Sequence, residues 1–95
     1  MQTTANPKGV HRLSNYMEVL TDNVLGDLLS KERKGLTEGA IQDIKALALN
    51  RLWPMYTTTL SGQDFLKKII EEDKIEKDVA RELKAAIDIV RSNPR

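Results

Sequence analysis

The chain is 95 residues long and 40% apolar, enough for one small hydrophobic core and not for two. It has no cysteine and a single histidine, His11, which excludes a disulfide framework, a Cys-ligated zinc or iron–sulfur site and a multi-histidine metal centre. Fifteen basic against 14 acidic side chains leave a formal charge of +1, far from the basic excess of a duplex-binding protein.

The charges are spread evenly, seven basic and six acidic in residues 1–60 and eight of each in 61–95. No apolar run approaches the roughly 18–20 residues that span a bilayer. The first 30 residues contain no apolar stretch followed by a small-residue cleavage site. The expectation is a soluble cytoplasmic chain with no membrane partner.

Residues 1–9 hold one apolar residue beyond Met1, together with Pro7 and Gly9, which predicts a flexible tail at 1–10 before a single domain at 11–92. A first helix is expected over about 15–31. Asn15 and Glu18 have the spacing of a capping box, with Leu13 as its hydrophobic staple. Met17, Leu20, Val24, Leu25 and Leu28 form a helical stripe. The charged segment 30–35 and Gly35 end it, and Lys31–Lys34 read as a solvated loop, a phosphate-binding role being the alternative.

A second helix is expected over 37–51, carried by Ile41, Ile44, Leu47, Ala48 and Leu52 and closed by Pro54. Residues 55–60 are aromatic and β-branched, which predicts a short extended segment able to pair with a symmetry copy. Ser61 and Asp64 have capping spacing for a third helix over 62–72, with Phe65, Leu66, Ile69 and Ile70 apolar. Asp73 and Glu76 repeat that spacing and place a break at Asp73, one long helix being the alternative. The fourth helix, 74–91, has the clearest stripe: Ile75, Val79, Leu83, Ala86, Ile87, Ile89 and Val90. Asp73→Lys77 and Lys74→Asp78 would add weak i,i+4 pairs. Asn93-Pro94 ends it, leaving a short tail at 93–95. The fold class is therefore all-α, about four helices with one extended segment.

No nucleophile–base pair is evident, and Glu71–Asp73 reads as a solvated helix end, so neither catalytic nor metal-binding residues are expected. The segment 43–62 is chemically richer. It sets Asp43, Asn50, Arg51, Trp53, Tyr56, Thr57 and Thr58 around one proline-marked bend. Those groups supply stacking faces, a guanidinium fork, hydroxyls for phosphate and a carboxylate for guanine N–H groups. The competing reading is structural: Trp53 and Tyr56 packed in a core or interface, the threonines present for β-propensity, and Asn50 a helix C-cap.

The run Asp43-Ile44-x-Ala46-Leu47-Ala48-Leu49-Asn50-x-Leu52-x-Pro54-x-Tyr56 resembles the signature of the late-competence ComFB family, roughly DI-x-ALALN-x-LPP-x-Y. Asn15-x-Met17-Glu18-x-Leu20 is similar to that family's N-terminal helix. The resemblance covers about residues 13–60. Two departures stand out. A cysteine cluster that many members carry before the DI is missing, its last two positions falling near Thr37 and Ala40. Trp53-Pro54 stands where Pro-Pro is commoner.

The resemblance implies a helical, dimeric protein. It also implies a receptor for cyclic dinucleotides, cyclic di-GMP foremost and cyclic di-AMP in some cyanobacterial members, with no further cofactor. The matched motif positions are Asn15, Asp43, Asn50 and Tyr56. Chemistry adds Arg51, Trp53, Thr57 and Thr58, with Arg12 beside helix one. A protein partner such as a transcription regulator would read the bound state, and no direct nucleic-acid contact is expected. The alternative is a protein-interaction adaptor with no nucleotide ligand.

Overall fold

The computed structural model describes residues 12–32 and 35–93. The expectations of a tail at 1–10 and of a loop role for Arg33 and Lys34 lie outside the described residues, as do His11, Pro94 and Arg95. The element order is β1 (Ser14–Asn15), α1 (Tyr16–Glu32), α2 (Glu38–Leu49), β2 (Tyr56–Thr57), α3 (Leu60–Asp73) and α4 (Ile75–Ser92). Four helices thus carry the fold, with one two-stranded antiparallel ribbon, β1–β2.

Helix α4 organises the packing, because it lies against α1, α2 and α3. Its stripe buries Val79, Leu83, Ala86 and Ile87 against Met17, Leu20, Leu25 and Leu29 of α1, Ile41, Ile44 and Ala48 of α2, and Ile70 of α3. Ile75 and Val90 are half-buried at its edges. Ile89 departs from the predicted stripe and is exposed. Ten residues beyond Val79, it sits about 80° off that residue's direction at 3.6 residues per turn.

The caps explain where the predicted boundaries moved. Thr37 caps α2, its Oγ1 accepting from the Ala40 amide at 3.1 Å, and Asn50 is the C-cap. Helix α3 starts two residues before its predicted position. Thr59, in extended geometry, accepts from the Gly62 amide and so takes the N-cap that Ser61 was expected to hold. The break between α3 and α4 falls where expected but by another device. Lys74 adopts a left-handed conformation, φ 54°, and no side chain caps α4. Asp78 pairs with Arg81 at 3.1 Å rather than with Lys74.

Three further points differ from the sequence reading. Leu13 is exposed, so it is no staple for α1. Phe65 is also exposed, and Leu66 and Ile69 are only half-buried, so Ile70 alone anchors α3 in the core. The extended segment narrows to Tyr56–Thr57, and its partner is Ser14–Asn15 of the same chain.

Candidate functional site

The site is assembled where the chain leaves α2. After Asn50, the amides of Arg51 and Leu52 still bond back to Ala48 and Leu49, so the helix winds down over one more turn. Pro54 prevents its continuation. Trp53 consequently projects from a turn and is 87% exposed.

Asn15 then fixes the next stretch. Its side-chain oxygen accepts from the Met17 amide at 3.1 Å, capping α1, and from the Met55 amide at 2.7 Å. The Tyr16 amide donates to the Met55 carbonyl at 2.7 Å. These bonds set the register that places Tyr56 opposite Asn15 and Thr57 opposite Ser14. Tyr56, on this clamped ribbon, is 61% exposed.

A hydroxyl-rich corner follows. Thr57 Oγ1 donates to the Thr59 carbonyl at 3.3 Å. Thr59 Oγ1 accepts from Gly62 at 3.0 Å and shares a hydrogen bond with Ser61 Oγ at 3.2 Å. Gly62 approaches so closely that a Cβ there would collide with Thr57 Oγ1. Thr57 and Thr59 therefore shape the corner, while Thr58 between them is exposed.

Beside this corner lies a cavity of about 160 Å³ lined by Arg12, Ser14, Thr58, Thr59, Leu60 and Gln63. A second recess of about 330 Å³ is lined by Asp43, Ala46, Leu47, Ile89, Val90 and Asn93, between α2 and α4. The two share no lining residue. The structure thus brings Arg12 and Thr58 into one cavity and sets Asn15, Tyr56 and Thr57 on the adjoining ribbon. Asn50, Arg51 and Trp53 are exposed on the link from α2. Asp43 is half-buried in the other recess.

Ser14, Thr59, Leu60 and Gln63 join the lining without having been singled out in the sequence. Ser14 was hidden because its ribbon partner is 43 residues away in sequence, and Gln63 because the predicted start of α3 was two residues late.

Neither Arg12 nor Arg51 forms an ion pair among the described residues, and no carboxylate lines the smaller cavity. Also among the described residues, no group of three or more His, Asp or Glu is placed to hold a metal ion. No described helix is long and apolar enough to cross a membrane.

Comparison with known proteins supplies the family context. The profile described as late competence development protein ComFB matches residues 14–94. Among solved structures, the late competence protein ComFB from Bacillus subtilis superimposes with a TM-score of 0.78 at 20% sequence identity. That match covers 88% of this chain and 93% of the other. At that identity the likeness speaks for the fold. A search of curated proteins found no match.

Proposed function

This chain belongs to the ComFB family, and on that premise we propose that it is a homodimeric receptor for a cyclic dinucleotide, cyclic di-GMP before cyclic di-AMP. It acts by binding and not by catalysis, and it signals through a protein partner such as a transcription regulator. The observation that carries this reading is the exposure of Trp53 and Tyr56. Two aromatic faces stand in solvent beside a hydrogen-bonded ribbon, with Arg12, Arg51 and Thr58 on the same run of structure. Planar bases need such faces, and phosphates need such donors.

The size of the cavity supports dimerisation. Sites that enclose small molecules run to about 300–1,000 Å³, and about 160 Å³ cannot enclose two nucleotides. A second surface would enclose more of the ligand, and a two-fold dimer offers matched halves to a ligand that is itself two-fold. Binding would redirect a partner only if the partner-competent arrangement holds the ligand better.

Thermal unfolding with and without cyclic di-GMP tests the reading. At a hundredfold excess over its dissociation constant, the ligand should add about 2.7 kcal/mol of stability. The adaptor reading is favoured by Leu13, Leu60 and Phe65, which are exposed apolar groups with no affinity for phosphate. It predicts no shift with any nucleotide.

A further inference from the structure

We propose that the cavity lined by Arg12, Ser14, Thr58, Thr59, Leu60 and Gln63 is a phosphate subsite, with Ser14 and Gln63 contacting the phosphate alongside Arg12. The identity of the molecule that carries the phosphate rests on the receptor reading above, whereas the anion preference rests on the cavity alone. Among the described residues its lining is one guanidinium, three hydroxyls, one carboxamide and one leucine, with no carboxylate. The one positive charge and the lack of a carboxylate favour an anion over a cation, and the set suits a tetrahedral oxyanion. The guanidinium can meet two oxygens at once, and the hydroxyls and amide N–H groups meet the others.

The donors are free to do so. Among the described residues, Thr59 Oγ1 is engaged by Gly62 and Ser61, while the side chains of Ser14, Thr58 and Gln63 carry no hydrogen bond within the chain. Their backbones are nevertheless fixed. Ser14 is held in the ribbon, Thr58 sits between two hydrogen-bonded threonines, and the Gln63 amide bonds to the Thr59 carbonyl at 3.1 Å. Prepositioned donors lose little freedom when an anion arrives. A volume of about 160 Å³ accommodates a phosphate with a few waters. It leaves the nucleoside outside, where Tyr56 stands two residues before Thr58 with its ring exposed.

Two titrations test this on wild type and on the Arg12→Ala and Gln63→Leu variants, each first checked for helicity. In the first, inorganic pyrophosphate is added to ¹⁵N-labelled protein. Saturable amide shifts confined to Arg12, Ser14, Thr58 and Gln63, and lost in both variants, are expected. Shifts that never saturate, or that scatter over the surface lysines, overturn the subsite. In the second, cyclic di-GMP affinity should fall about tenfold or more in Arg12→Ala and about threefold or more in Gln63→Leu, the range for a lost charged or neutral hydrogen bond. Unchanged affinity in both variants, together with pyrophosphate shifts that are absent or unlocalised, overturns the subsite and leaves the receptor reading intact. Localised pyrophosphate binding without any cyclic dinucleotide binding upholds the subsite and overturns the receptor reading.

Discussion

Asn15 joins two segments 40 residues apart through a single oxygen that accepts two amides. Asn15→Asp keeps that acceptor and should leave stability nearly unchanged. Asn15→Ala removes it and should cost about 1–2 kcal/mol, read by urea unfolding. A loss of ligand affinity in Asn15→Asp without a loss of stability would place Asn15 beside the ligand, through the lost NH₂ or the added negative charge. Thr21 offers a converse case. It is fully buried in α1 and its hydroxyl has no hydrogen-bond partner among the described residues. Thr21→Val should raise stability by up to about 1–3 kcal/mol, the desolvation cost of an unpaired hydroxyl, and a lower midpoint would reveal a hidden partner. Arg51 and Tyr56 are exposed, so their alanine variants should change stability by only about 0.5 kcal/mol while weakening cyclic di-GMP binding. If both variants fail to fold, those side chains are structural. At this scale the local role of Asn15 was legible, because capping is written in adjacent residues. Its bond to Met55 was not, because no local pattern encodes a partner 40 residues away.

Among the elements, the β2–α3 corner depends on one missing side chain. Gly62→Ala would drive a Cβ into Thr57 Oγ1 and should cost about 1–3 kcal/mol through overpacking. Thr57→Ala in the same chain removes the obstructing hydroxyl, so the double variant should be more stable than the sum of the singles predicts. A strictly additive denaturation cycle would contradict the close contact. The helices themselves were legible, because their apolar spacing survives in the burial of Ile41, Ile44, Val79 and Leu83. Their ends were less so. Ser61 has the capping spacing in the sequence, but Thr59 takes the cap because its hydroxyl reaches the Gly62 amide. The turn at Lys74 was also hidden, since a lysine gives no sign of left-handed geometry. Phe65 is apolar yet exposed, because α3 reaches the core only through Ile70.

The whole molecule separates a small core from an exposed apolar and aromatic set. The core centres on α4, where Leu83 is fully buried. Leu83→Ala should therefore cost about 2–5 kcal/mol, visible as a lower unfolding midpoint, and a cost below about 1 kcal/mol would contradict the placement of α4 at the centre. Leu13, Trp53, Tyr56, Leu60 and Phe65 lie outside that core. Composition could not separate the two groups, because a stacking ring and a packing ring are the same residue until the fold decides which is covered. The candidate site was legible as a cluster along the chain but not as a shape. Asp43 went to the recess between α2 and α4, and Gln63 joined Arg12 and Thr58 instead. On the proposed reading, the exposed rings and the guanidinium groups of Arg12 and Arg51 recognise a cyclic dinucleotide. Isothermal titration calorimetry of the wild-type protein with cyclic di-GMP, cyclic di-AMP and GTP tests it most directly. Saturable binding of cyclic di-GMP in the micromolar range or tighter, with none of GTP, is the predicted result. No heat with either cyclic dinucleotide would contradict it and would make the exposed rings contacts for a protein.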